Sequence, residues 1–116
     1  MDQPLRYTIR FDGMAAADAA RAAESLRRSL QEADPMIQGR RVRAEDDAMD
    51  FGTVLEVVLA APAMVEFAKG VANWLGRTHS SKLTVIGPDG TTIVENISAR
   101  DAAGLAEKLQ ARHGER

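Results

Sequence analysis

The residues of this chain that could do covalent or metal chemistry are few, and they do not gather into a working set. His79 and His113 are the two histidines. Neither has a histidine or carboxylate three or four positions away, the spacing that puts two ligands on one helical face for zinc. Ser80 and Ser81 follow His79 directly, but adjacent side chains seldom face each other productively, and the G-x-S-x-G turn of a nucleophilic serine is absent. With no cysteine there is no thiolate nucleophile, sulfur ligand or disulfide, a usage that fits a reducing compartment. The acidic run Glu45-Asp46-Asp47-Ala48-Met49-Asp50 lacks the alternating carboxylates and distal glutamate of a calcium loop and reads as a solvated loop. Gly87-Pro88-Asp89-Gly90 has no following lysine and leads into a strand, so it is a turn and not a phosphate cradle. An enzyme is therefore not expected, and no catalytic residue, metal ligand or cofactor site is assigned.

Binding residues are better represented. Arg27, Arg28, Arg40, Arg41 and Arg43 would converge on one surface if the first helix packed beside the second strand, and guanidinium groups pair well with anions. Glu24, Glu32, Asp34, Glu45, Asp46 and Asp47 are interleaved with them, and the single tryptophan and tyrosine lie elsewhere, so a nucleic-acid platform is not expected. Trp74 ends an apolar stretch, where core anchor, protein interface and membrane boundary are all open roles, with the core favoured. Arg40, Arg41 and Arg43 on the edge, and Phe67, Val71 and Trp74 in the apolar stretch, are the candidates for partner contact.

These residues need a scaffold, and 116 residues with 45% apolar and 28% charged types provide one folded domain, here 1–116 with a frayed start (1–4) and a tail (112–116). A net charge of -2 gives no overall attraction to polyanions. The start lacks the basic residues and apolar core of a secretory signal, so a cytoplasmic location is expected.

Leu5, Tyr7, Ile9 and Phe11 alternate with Arg6, Thr8 and Arg10, the pattern of a half-buried strand. After Asp12-Gly13, the spacing of Ala19, Ala22, Ala23, Leu26 and Leu30 predicts a helix that stops before Pro35. Arg40 to Ala44 suits a short edge strand, since three arginines leave little to bury. Val54 to Leu75 resembles a membrane span, yet Glu56, Pro62, Glu66 and Lys69 interrupt it, and its longest charge-free run is well below the ~20 residues a bilayer requires. Thr53 to Ala61 serves either a buried strand or a buried helix, and a short helix is favoured. From Pro62 onward, Met64, Ala68, Val71 and Leu75 share a helical face. A polar connector covers 76–81, a hairpin joins Leu83–Ile86 to Thr92–Ile97, and a last helix begins at Ser98 with an apolar stripe of Ala102, Leu105, Ala106 and Leu109. The expected class is α+β, a sheet of about four strands covered by helices in the order β-α-β-α(α)-β-β-α.

Leu26-x-x-x-Leu30 is followed by Asp34-Pro35-x-Ile37-x-Gly39-Arg40-x-Val42, then by Met49-Asp50-Phe51-Gly52, Asn73-Trp74-Leu75 and the Gly87-Pro88-Asp89-Gly90 turn. In order and spacing these segments resemble the effector-associated constant component family of bacterial conflict systems, over about residues 5–110. The resemblance implies a non-enzymatic accessory or adaptor in antiviral defence, with a caspase-like or trypsin-like peptidase or another nearby-encoded effector as partner, and it carries no catalytic residues. Homo-oligomerisation is open. A competing expectation is a membrane-active component whose segment 54–75 associates with the bilayer on activation.

Overall fold

In a computed structural model, residues 4–45, 50–78, 82–105 and 108 are described. The chain runs β1 (Leu5–Asp12), α1 (Ala16–Ala33), β2 (Gln38–Glu45), β3 (Asp50–Leu59), a 3-10 turn (Ala61–Ala63), α2 (Met64–Thr78), β4 (Lys82–Ile86), β5 (Thr92–Ile97) and a second 3-10 turn (Ala99–Gly104). The strands form one antiparallel sheet of five in the order β2-β3-β1-β4-β5, one more strand than expected.

The alternation read in β1 holds, with Tyr7, Ile9 and Phe11 buried and Arg6 exposed. Register carries that face across the sheet: Tyr7 lies opposite Val57, Ile9 opposite Leu55 and Val85, and Phe11 opposite Leu83. Both helices cover this face. Helix α1 buries Ala19, Ala23, Leu26 and Leu30, and α2 buries Met64, Phe67, Ala68, Val71, Trp74 and Leu75, in one cluster with the strands. The Tyr7 and Phe67 rings lie 5.2 Å apart, and the Phe11 and Trp74 rings meet edge to face at 5.9 Å.

Close approach of the layers depends on two glycines. At Gly70 a Cβ would stand 2.7 Å from Leu30 Cδ2, so the bare backbone of α2 lets α1 come near. At Gly39 a Cβ would meet Arg27 Cγ at 2.9 Å, so the arginine stem crosses β2 where no side chain intervenes.

Segment 53–61 is strand β3 and its exit, not the favoured short helix. Leu55, Val57 and Leu59 face the helices and the even positions face outward, yet Val54 is also buried, opposite Val42 of the edge strand. Val54 and the half-buried Val58 put apolar side chains on the outward face as well, which is why the run shows no clean alternation. The apolar residues of 54–75 are thus divided between β3 and α2 and spent on the core, which removes the sequence argument for bilayer association. No helix among the described residues is long and apolar enough to cross a membrane.

Other boundaries shift in smaller ways. The expected connector 76–81 begins later, because α2 runs to Thr78, whose hydroxyl donates to the Trp74 carbonyl. The expected acidic loop is shortened by pairing of Glu45 with Asp50. The chain after Ser98 begins with a 3-10 turn, and Leu105 and Lys108 beyond it are α-helical, so the expected last helix starts later than Ser98; Leu105 is buried. The rest of the acidic run (46–49), the histidine–serine segment (79–81), Ala106, Leu109, His113 and the expected terminal tails beyond Pro4 lie outside the described residues.

Candidate protein-contact surface

The face of α1 beside its buried stripe carries Arg21, Ser25, Arg28 and Glu32 at alternating spacings of four and three, which stacks them along the helix. Glu24 and Ser29 flank this row. The nearness of α2 adds Arg77 from its last turn, and β2 adds Arg41, whose register opposite Leu55 places it on the helix-covered face. Together with Ala20 these side chains line a solvent-open groove of about 610 Å³.

Its floor is tied by two hydrogen bonds between the helices. Trp74 Nε1 donates to Ser25 Oγ at 2.9 Å, and Arg77 donates to Ser29 Oγ. At one wall, Glu24 is shared by three guanidinium groups. Arg27 donates to it through Nε at 3.0 Å and Nη2 at 2.5 Å, Arg28 through Nε at 3.2 Å, and Arg41 Nε stands at 3.8 Å. The hydrogen bonds from Arg27, followed by its charge and by Arg28, pull the Glu24 carboxyl down to about 2, against the opposing effect of burial. Glu24 holds Arg27 in its charged form in return, raising its pKa. The arginine heads at the rim remain wet: the side chains of Arg21, Arg28 and Arg41 are 74%, 72% and 52% exposed.

The expected convergence of Arg27, Arg28 and Arg41 is present, because α1 packs beside β2. Arg40 is elsewhere. It sits opposite Glu56 on the outer face of the sheet and donates to that carboxylate at 2.7 Å, with Arg6 3.7 Å away. Arg43 belongs to β2, with its side chain outside the described set. Phe67, Val71 and Trp74 are placed in the core, at 0%, 0% and 1% exposure, the role favoured for Trp74. Sequence reasoning missed Arg21, Ser25, Ser29 and Arg77 as a set. The spacing on α1 was a usable signal, whereas Arg77 joins only through the helix–helix contact.

Guanidinium groups bind carboxylates and phosphates through parallel N–H donors, so the groove is suited to recognising anions. Among the described residues no cluster of three histidines or carboxylates could hold a metal ion. A family model described as Effector Associated Constant Component 1 matches residues 15–113. No curated protein and no solved structure matches the chain.

Proposed function

The chain belongs to the effector-associated constant component family, which gives it an accessory role in a bacterial conflict system, and from that premise we propose that it is a non-catalytic cytoplasmic adaptor binding a peptidase-type effector in antiviral defence. The observation that carries this reading is the match itself, which runs from the start of α1 through both helices and four of the five strands. The groove supports a binding role. Its two hydroxyls, on Ser25 and Ser29, already accept from Trp74 and Arg77, and no histidine stands beside them among the described residues to act as a base.

The test is co-expression of the tagged protein with a peptidase-type effector from its own genomic neighbourhood, followed by size-exclusion chromatography with light scattering. A complex of fixed stoichiometry is expected, and the protein run alone reports whether it also self-associates. Separate elution of the two proteins at concentrations of about 10 μM would sink the reading, since specific adaptors hold their partners at or below that level.

A further inference from the structure

The geometry points to the chemistry of the partner: we propose that the groove between α1, the end of α2 and β2 seats a carboxylate-rich segment of the effector. This rests on the effector-binding reading above. Four arginines from three elements line the groove against two carboxylates, Glu24 and Glu32, while Asp18, outside the lining, pairs with Arg21. One of those carboxylates is already shared by Arg27, Arg28 and Arg41, so it cannot satisfy the donors of all three forks. Arg77 is engaged with a neutral hydroxyl, and no carboxylate pairs with it among the described residues. The result is a local positive excess on a chain whose net charge is -2. The pull on an anion is therefore confined to this surface.

Three observations select an acidic protein segment over other anions. Glu24 and Glu32 stand among the arginines and would repel phosphates fixed in the backbone of a strand, while the carboxylates of a peptide, each on its own flexible stem, can turn away from them. The described aromatic rings, Tyr7, Phe11, Phe67 and Trp74, are buried, so none of them offers the groove a platform for base stacking. The groove is open to solvent, unlike the enclosing cavities that hold small molecules.

The test pairs two doubly neutralised variants that lose the same charge, Arg21→Gln/Arg28→Gln in the groove and Arg6→Gln/Lys82→Gln on the outer sheet face. An octaglutamate peptide, octathymidylate and inorganic phosphate are titrated into each protein and into the wild type by NMR. Octaglutamate is expected to move resonances of Arg21, Arg28, Arg41 and Arg77. Its binding should weaken by about tenfold in the groove variant and by less than about twofold in the other, with loss as salt rises from about 50 to about 300 mM. Tighter binding of octathymidylate or phosphate at the same residues, or octaglutamate shifts elsewhere, would overturn the proposal. Capture of the co-expressed peptidase should also fall about tenfold in the groove variant. Undiminished capture by that variant rejects the groove as the docking site and leaves effector binding standing, whereas no capture even by the wild type rejects effector binding itself.

Discussion

The indole N–H of Trp74 donates to Ser25 Oγ at 2.9 Å, so the largest buried side chain of α2 is tied to an exposed residue of α1. The ring is 1% exposed and meets the edge of Phe11, which leaves its single polar atom to be satisfied across the helix pair. Ser25→Ala removes that acceptor. Stability should fall by about 1–2 kcal/mol, the cost of a buried donor left without its partner, as measured by urea unfolding. Tryptophan emission in the folded state should shift as the indole loses its hydrogen bond. Unchanged stability would mean that solvent in the groove replaces the hydroxyl.

Glu24 makes the helical surface sensitive to acid. Its carboxyl ionises at about 2 in the folded chain against an ordinary value of 4.5, so the unfolded state binds more protons between those limits. The stabilisation is complete above about pH 4.5 and is lost as pH falls toward about 2. Wild-type Tm should therefore drop through that window faster than the Tm of Glu24→Gln. The two curves should draw together near its acid end. Parallel curves would show that Arg27 and Arg28 do not favour the ionised carboxylate.

Much of this scaffold was legible because one face of each element is wet. Leu5 to Phe11 alternates cleanly since Arg6 and Arg10 face outward, and the Ala19–Leu30 stripe stands out against the arginines of α1. Strand β3 was not legible as a strand, because Val54 is buried on the face opposite Leu55 and Val57. A strand with apolar side chains on both faces loses the period that distinguishes it from a buried helix. The arginine patch was half legible: Arg27, Arg28 and Arg41 follow from placing one helix beside one strand. Arg77 requires knowing that α2 lies against α1, a long-range contact that no local spacing encodes. Arg40 and Arg41 were grouped by sequence, but the strand period of two sends them to opposite faces.

Thr84 is fully buried within β4, and its hydroxyl both donates to Asp12 Oδ2 at 2.6 Å and accepts from the Asn96 N–H at 3.1 Å. The second bond satisfies backbone displaced where the register of β4 and β5 shifts, and Asn96 adopts φ of 57° there. Thr84→Val keeps the shape and removes both bonds, so a loss of about 1–3 kcal/mol is expected in chemical denaturation. Asn96→Gly should be tolerated, and Asn96→Val should cost at least about 1 kcal/mol, because a β-branched residue strains at positive φ. Equal stability of the two Asn96 variants would remove the argument from backbone conformation.

The contact between Gly70 and Leu30 sets how near α2 comes to α1, and hence how Arg77 reaches the groove two turns further along its helix. A methyl at Gly70 would stand 2.7 Å from Leu30 Cδ2 and 3.6 Å from both Leu30 Cα and Ala33 Cβ. Gly70→Ala gains about 1 kcal/mol of helix propensity and meets an overpacking cost of about 1–3 kcal/mol. Leu30→Ala alone should lose about 2–5 kcal/mol, because Leu30 is almost fully buried. In the double variant the new methyl enters the space that Leu30 vacates. The combined loss should be smaller than the sum of the single losses by about 1 kcal/mol, within the range seen for residues in direct contact. Octaglutamate binding provides a second readout, since Gly70→Ala should weaken it by moving Arg77, and truncation of Leu30 should restore part of it. Additive losses, within about 0.3 kcal/mol, would show that the helices already leave room for the methyl and that this contact does not position the groove.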